Sequence, residues 1–256
     1  DAAAKCLQNA GKTADEIDCL ISVSTSGIAT PSLDARLLTD SGMRADVLRL
    51  PVFGLGCAGG VMGLARAADM ARAEPGRLVL LIVVELCGLT FRSSDQSKSN
   101  IVAIALFGDG AAAVLLSVPA DRREAKLPML SGWGEHTWPD SLSVMGWSVE
   151  DDGLGVMFSR DIPMIVANQF NYALSAFLDR HSLVIEDFDG YICHPGGAKV
   201  VSALESVFGL AEGGLERTRN CLRDYGNMSA ASALFVLDDS LANAPGGRYL
   251  MTALGP

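Results

Sequence analysis

The sequence predicts an α/β fold assembled from two similar halves. Two observations carry that prediction. Apolar runs such as Leu78 to Glu85 alternate with helical, small-residue stretches such as Ala58 to Ala73, the pattern of strands covered by helices. The order of elements then repeats. Shifted by 171 positions, Glu16-Ile-Asp18 falls on Asp187-Phe-Asp189, Cys57-Ala-Gly59 on Met228-Ser-Ala230, and Pro75-Gly-Arg77 on Gly246-Gly-Arg248. Such self-similarity marks two copies of one supersecondary unit. The 256 residues, 49% of them hydrophobic, suffice for a large shared core.

In order, Ala2 to Ala10 reads as the end of a helix capped by Gly11, and Thr13-Ala-Asp-Glu16 as a second helix start. Asp18 to Ser24 is a strand, Leu33 to Ser41 a helix closed by Gly42, and Val47 to Phe53 a short strand. A helix from about Ala58 to Ala73 precedes the buried strand Leu78 to Glu85, whose apolar run is too short to span a bilayer. Ile101 to Phe107 reads as a strand or a helix end, Gly108-Asp-Gly110 as a tight turn, and Ala111 to Val118 as a strand. Polar residues 119–127 are the expected linker, dividing an N-terminal half (1–118) from a C-terminal half (119–256). Met129 to Met145 are expected to form strands or turns around the tryptophans. Pro163 opens a long helix to about Arg180. Phe188 to His194 is a strand ended by Pro195-Gly-Gly197, and Ala198 to Phe208 is a helix. A helix from about Met228 to Asn243 follows Tyr225-Gly-Asn227, and Arg248 to Leu254 is the last strand. Both chain ends read as cut from a longer protein.

Composition excludes several classes. A net charge of -10 without a Lys/Arg run argues against nucleic acid and anionic membranes as partners. The six cysteines are dispersed and form no CxxC pair, so no metal site is expected, and they read as the reduced thiols of a cytoplasmic protein. No signal peptide and no integral membrane segment are expected.

Three polar residues stand at matching strand-to-helix junctions, where α/β sheets open their crevices: Cys57 in the first copy, Asn227 and His194 in the second. Cys57 sits among glycines at a helix start, where unpaired N–H groups favour a thiolate, and a nearby imidazole would lower its pKa further. Its neighbours Ala58-Gly-Gly60, like Ser229-Ala-Ala231, are small enough for two helices to touch. His194 precedes Pro-Gly-Gly, whereas His136 and His181 lie in polar segments expected to be exposed. Asn227 could cap a helix and still present its amide to a cavity, where Asn and His donors would make an oxyanion site.

Gly56-Cys57-Ala-Gly-Gly60, Phe107-Gly-Asp-Gly-Ala-Ala-Ala113, His194-Pro-Gly-Gly197 and Tyr225-Gly-Asn227-Met-Ser-Ala-Ala-Ser232 together resemble the chalcone-synthase-like (type III) polyketide synthases. The likeness runs over the whole chain, with the motifs in the family's order. It implies a thiolase-like five-layered αβαβα fold and a homodimer. It implies that Cys57 takes an acyl starter from coenzyme A, and that His194 and Asn227 stabilise the enolate left when malonyl-CoA loses CO₂. No cofactor beyond coenzyme A thioester substrates is implied. Phe107 and Phe158 match gatekeeping phenylalanines. Thr25, Cys87 and Thr90 match cavity positions, Gly196 and Gly197 belong to the His194 motif, and Thr30 replaces a methionine that crosses the dimer interface. The family's basic residues for the CoA phosphates lie in an N-terminal portion that this sequence lacks. Glu85-Leu-Cys87-Gly-Leu-Thr90-Phe91 is similar to bacterial alkylresorcinol and alkylpyrone synthases, which implies a medium or long fatty acyl starter. A ketoacyl-ACP synthase III of fatty-acid initiation and a non-catalytic acyl-binding homologue are the competing expectations. The first would carry a basic docking patch, the second an incomplete triad.

Overall fold

The structure, a computed structural model, describes residues 1–119, 127–243 and 246–256. Residues 120–126 of the expected linker lie outside the described residues. The first half is built on a four-stranded sheet of order β2-β1-β3-β4, with β1 Cys19–Val23, β2 Leu48–Val52, β3 Val79–Leu86 and β4 Asp109–Leu116. β1 runs parallel to β2 and β3, and β4 returns antiparallel along β3. Alternation along the strands sends Cys19, Ile21, Val23, Val79, Leu81 and Val83 to one face and Leu20, Leu80 and Ile82 to the other. Both faces are covered, which is why β1 and β3 read as largely apolar runs, interrupted only by Ser22 and Glu85.

The outer face packs under α1 (Ala2–Ala10) and α2 (Leu33–Ser41). The inner face packs on α3 (Gly59–Ala73) and α9 (Ser232–Asn243), one from each half. Beyond them lies a second, parallel sheet of β7 (Gly190–Cys193) and β8 (Tyr249–Thr252). Its inner residues Ile192 and Met251 join the central core, while Cys193 and Leu250 face α6 (Asn171–His181) and α7 (Ala198–Val207). The result is five alternating layers, as the resemblance implies. The central contact is as close as the small residues allow: a Cβ on Gly60 would fall on the Ala230 carbonyl oxygen, and one on Gly59 would press on Val23 and Ala230.

The repeat is visible in hydrogen bonds as well as in order. The Thr13 N–H donates to Glu16 and the Val184 N–H to Asp187, each opening a 3-10 turn. The Asp18 carboxylate then accepts the Leu78 N–H at 2.9 Å, and Asp189 accepts the Arg248 N–H at 2.8 Å. Each aspartate thereby clips two neighbouring parallel strands together at their starts.

Of the two readings of Ile101 to Phe107, the helix end holds: it closes α4 (Lys98–Leu106), whose N-cap Ser97 accepts the Asn100 N–H and whose C-cap is Phe107. Other expectations are corrected. Gly108-Asp-Gly110 is not a tight turn, since Asp109 and Gly110 already pair with β3 as the start of β4. Between Met129 and Met145 no strand forms until β5 (Met145–Glu150) begins its hairpin with β6 (Gly153–Phe158). The tryptophan there anchors a loop onto α3 instead: Trp133 Nε1 donates to Asp69, and Arg72 lies over the indole at 4.1 Å. The helix at Pro163 starts as α5 (Ile162–Ile165) and passes through a π-helical turn, Val166–Phe170, before α6. One helix was unforeseen, α8 (Glu216–Tyr225), which stands where the first copy has β2. Its buried residues are Thr218 and Cys221, too sparse an apolar stripe to announce a helix. Among the described residues no helix is long and apolar enough to cross a membrane, and no group of metal-binding side chains assembles.

Candidate active site

Each of the three junction residues is held by backbone geometry special to its segment. After β2 the chain turns through Gly54 and Gly56, at φ 90° and 47°, conformations that glycine adopts without strain. The Gly56 N–H donates to Thr25 Oγ1 at 3.0 Å, and the 3-10 turn Gly56–Ala58 carries Cys57 into the start of α3. On the other half, α8 ends at Gly226 (φ 72°), and Asn227 joins the strand-like edge at Phe107. Its N–H donates to Leu106 O at 2.8 Å and its carbonyl accepts the Gly108 N–H at 3.0 Å. His194 ends β7, its N–H donating to Thr252 O at 2.9 Å. The structure brings these three residues together, all buried, along one cavity of about 370 Å³.

The amide of Asn227 has a defined orientation. Its Oδ1 accepts the Ser229 N–H at 2.8 Å, so Nδ2 faces the other way, toward Gly196 O at 3.5 Å. The Cys57 thiol lies 3.9 Å from the same Oδ1. Ser229 itself holds φ 47°, a strained conformation for a non-glycine residue. The His194 ring is 4% exposed, and neither Nδ1 nor Nε2 has a hydrogen-bond partner. An unpaired buried imidazole is costly and marks a group kept for a ligand or a reaction.

Electrostatics correct the thiolate expectation. Burial pushes the Cys57 thiol up to about 11, with its side-chain contact to Ser229 opposing the rise and the Glu85 charge adding to it. Burial alone pushes His194 down to about 4. Thiol and imidazole therefore rest neutral. Desolvation at this site outweighs the helix-start field, and no Cys57–His194 hydrogen bond forms to support an ion pair.

Sequence reasoning missed Glu85, which lies beneath the site. Its fully buried carboxylate accepts the Ser26 N–H at 2.9 Å and the Thr25 N–H, and Ser229 Oγ donates to it at 3.4 Å. Burial raises its pKa above the usual carboxylate value. It links the Thr25 turn under Cys57 to the Ser229 turn under Asn227. The available signal was an acidic residue closing an otherwise apolar strand.

The remaining candidates divide. Phe158 and Gly196 line the first cavity. Cys87, Thr90 and Phe107 line a second, of about 330 Å³. Phe107 and Phe158 meet between the two, ring centroids 5.6 Å apart. Thr25 lines neither: its side chain supports Gly56. Gly197 is the N-cap of α7 and Thr30 is exposed. His136 and His181 are exposed, as expected.

A layered pair of α/β halves with a buried Cys, His and Asn on one cavity defines an acyl-condensing enzyme of the thiolase type. Residues 1–120 match the N-terminal domain of the chalcone and stilbene synthases, and residues 134–245 match their C-terminal domain. The chain is 44% identical to a 1,3,6,8-tetrahydroxynaphthalene synthase of Streptomyces peucetius subsp. caesius, over 98% of this chain and 67% of that protein. It is 41% identical to a putative chalcone synthase of Bacillus subtilis, over 94% and 68% respectively. The crystal structure of the tetrahydroxynaphthalene synthase of Streptomyces coelicolor A3(2), described as a bacterial type III polyketide synthase, superposes with a TM-score of 0.88 at 26% identity, covering 94% of this chain and 68% of that one. The chain belongs to the chalcone and stilbene synthase family, the type III polyketide synthases, and is an acyltransferase by class.

Proposed function

We propose that Cys57 accepts an acyl group from a coenzyme A thioester and that His194 and Asn227 serve the condensation that follows. The observation that carries this is the convergence of the three residues, with two ring nitrogens of His194 unpartnered and the Asn227 amide pre-oriented. In the loading step the Cys57 thiol loses its proton to the neutral His194 imidazole as sulfur attacks the thioester carbonyl. The acyl–Cys57 bond forms and coenzyme A leaves as the thiol, taking a proton back. Malonyl-CoA then loses CO₂, and the electron pair of the broken C–C bond becomes an enolate whose oxygen receives hydrogen bonds from His194 and Asn227 Nδ2. Each donor aimed at such an oxygen stabilises it by about 3 kcal/mol. The enolate carbon attacks the Cys57 thioester, the acyl–sulfur bond breaks with Cys57 leaving as a thiolate that takes up a proton, and the lengthened chain, now on coenzyme A, reloads Cys57 as the starter did. Repetition and cyclisation give an alkylpyrone or alkylresorcinol type of product.

The second cavity, beyond Phe107, receives a medium or long acyl starter in this reading, since small Cys87, Thr90 and Ala103 face it. Thr25 and Gly197 act as supports and not as walls. Two copies pair through exposed apolar side chains, among them Ile28, Leu89, Phe91 and Ile101, each more than half exposed, with Thr30 at that interface. The division 1–118 and 119–256, the absence of a resident cofactor and a cytoplasmic setting complete the reading. The last is supported by six cysteines that are all free. The test is a mass spectrum of the intact protein after exposure to acyl-CoA thioesters of graded length. An adduct that is lost in Cys57→Ala supports the proposal, and no adduct at any length refutes it. Product analysis with malonyl-CoA alone, against malonyl-CoA plus a fatty acyl-CoA, checks the starter: product from malonyl-CoA alone would overturn the fatty starter.

A further inference from the structure

The hairpin of β5 and β6 is a sheet of its own, hydrogen-bonded into neither of the layered sheets. An isolated hairpin is marginally stable, so its pose depends on what grips it. At one end Phe107 packs on Trp147 and Phe158, ring centroids 6.2 and 5.6 Å away. At the other end stands the two-residue turn Asp151-Asp152, between the paired residues Glu150 and Gly153. There Arg92 Nη2 pairs with Asp152 Oδ1 at 2.6 Å, and Ser94 Oγ donates to Asp152 Oδ2 at 3.3 Å. Arg92 Nη1 lies 3.6 Å from Asp95, and so close to the hairpin that a Cβ on Gly155 would come within 3.0 Å of it. The segment that carries Arg92 is braced in turn: Asn100 Nδ2 donates to Arg92 O at 2.9 Å, and the Ser97 N–H donates to Asp95 Oδ1 at 2.8 Å. The Arg92 side chain is only 18% exposed, and its buried Nε finds no hydrogen-bond partner. That is a cost which only the groups it joins can offset. Those groups belong to the walls of different cavities. Phe91, next to Arg92, lines the second cavity with Cys87, Thr90 and Phe107, whereas Phe158, the last residue of β6, lines the first with Cys57.

We infer that the Arg92–Asp152 clamp fixes the spacing of Phe107 and Phe158, and so sets how thick an acyl chain passes from Cys57 into the second cavity. The inference rests on the proposed course of the starter beyond Phe107 and adds the residues that hold that passage. Arg92 touches neither Cys57 nor the chain on it, and acts as a positioning residue. The ladder from Met145–Phe158 to Glu150–Gly153 keeps tip and ring in one body. A tip released from Arg92 therefore carries Phe158 away from Phe107. Removing either partner also leaves the other charge part-buried and unpaired, which drives the tip toward water. Two rings in contact admit an unbranched chain by a small displacement, and a cyclic one only by a large displacement.

The experiment offers two thioesters of similar length, octanoyl-CoA and cyclohexylpropanoyl-CoA, and follows acylation of Cys57 by intact mass. The readout is the ratio of the two second-order rate constants, which a loss of stability alone leaves unchanged. The unmodified chain favours octanoyl-CoA. In Arg92→Gln and in Asp152→Asn the ratio falls about tenfold, because the ring now passes. Asp152→Glu, which keeps the charge, retains the ratio, and so does Lys12→Gln, which breaks an ion pair beside α1. Hydrogen exchange of the unliganded chain reads the clamp without a substrate: amides of residues 145–158 exchange faster in Arg92→Gln and Asp152→Asn, and those of β3 do not. An unchanged ratio in both variants, or unchanged exchange of the hairpin, overturns the clamp and leaves acyl transfer standing. An unchanged ratio in Phe107→Ala overturns instead the passage of the starter beyond Phe107. Failure of both thioesters to acylate the unmodified chain overturns the reading of Cys57, and hydrogen exchange then decides the clamp alone.

Discussion

The Cys57 thiol and the Asn227 amide oxygen lie 3.9 Å apart, and this contact joins the two halves of the chain at the point of chemistry. The oxygen is held there by the Ser229 N–H, so the donating end of the amide faces the other way, toward Gly196 O at 3.5 Å. In the proposed reaction one residue thus touches the nucleophile with its acceptor and offers its donor to the enolate.

Asn227→Ala should separate the two half-reactions. Loss of the donor is expected to slow malonyl-CoA decarboxylation by about 10²–10³-fold. Loading of Cys57 should persist, because the thiol and His194 remain. Parallel assays of CO₂ release and acyl adduct check this, and decarboxylation at an unchanged rate refutes the role.

The pH dependence of thiol reactivity should follow a buried thiol and not an ion pair. With the Cys57 pKa near 11, alkylation by iodoacetamide should rise steadily from pH 7 to 9 without a low-pH plateau. A plateau near neutral pH would show a preformed thiolate. Glu85→Gln removes a charge that raises this pKa, and should shift the whole profile toward lower pH.

His194 should make the fold sensitive to acid. Its folded pKa, about 4, lies below the unfolded value, about 6.5. Between those values the unfolded chain binds the proton and the folded chain does not, so stability falls as pH drops from about 6.5 to 4. The contribution is about 3 kcal/mol over that window. Urea unfolding across the pH range should show this loss, and His194→Gln should lack it.

Gly60→Ala should destabilise the centre of the molecule. The added Cβ meets the Ala230 carbonyl, which is backbone and cannot rotate away. Overpacking of this kind costs about 1–3 kcal/mol or more. Gly76→Ala is not a fair control, since Gly76 has φ 91°. Gly27→Ala meets nothing within 4 Å and should leave the urea midpoint nearly unchanged.

Much of the fold is legible along the chain because its signals are local. Gly11 and Gly42 take the left-handed conformation that ends α1 and α2, and the runs at β1 and β3 are apolar because both their faces are buried. The aspartates of the repeat are readable because each makes the same clip in its half. Two segments were not legible. The tryptophan loop takes its shape from a distant partner, Asp69 on α3, and α8 buries too few apolar residues to show a period.

The sequence by itself determined the class, the two halves and the residues Cys57, His194 and Asn227. Glycine-marked junctions and an apolar period are written in the order of residues. Only the tertiary structure decided how those residues behave. Burial, not the helix start, sets the Cys57 and His194 protonation states. Glu85 acquires its place under the site from N–H groups about 60 positions away. Lys98, Arg160 and Lys199, from separate segments, come to line the cavity of Cys57. Desolvation and long-range electrostatics depend on what surrounds a group in space, and that neighbourhood exists only once the two halves have closed on each other.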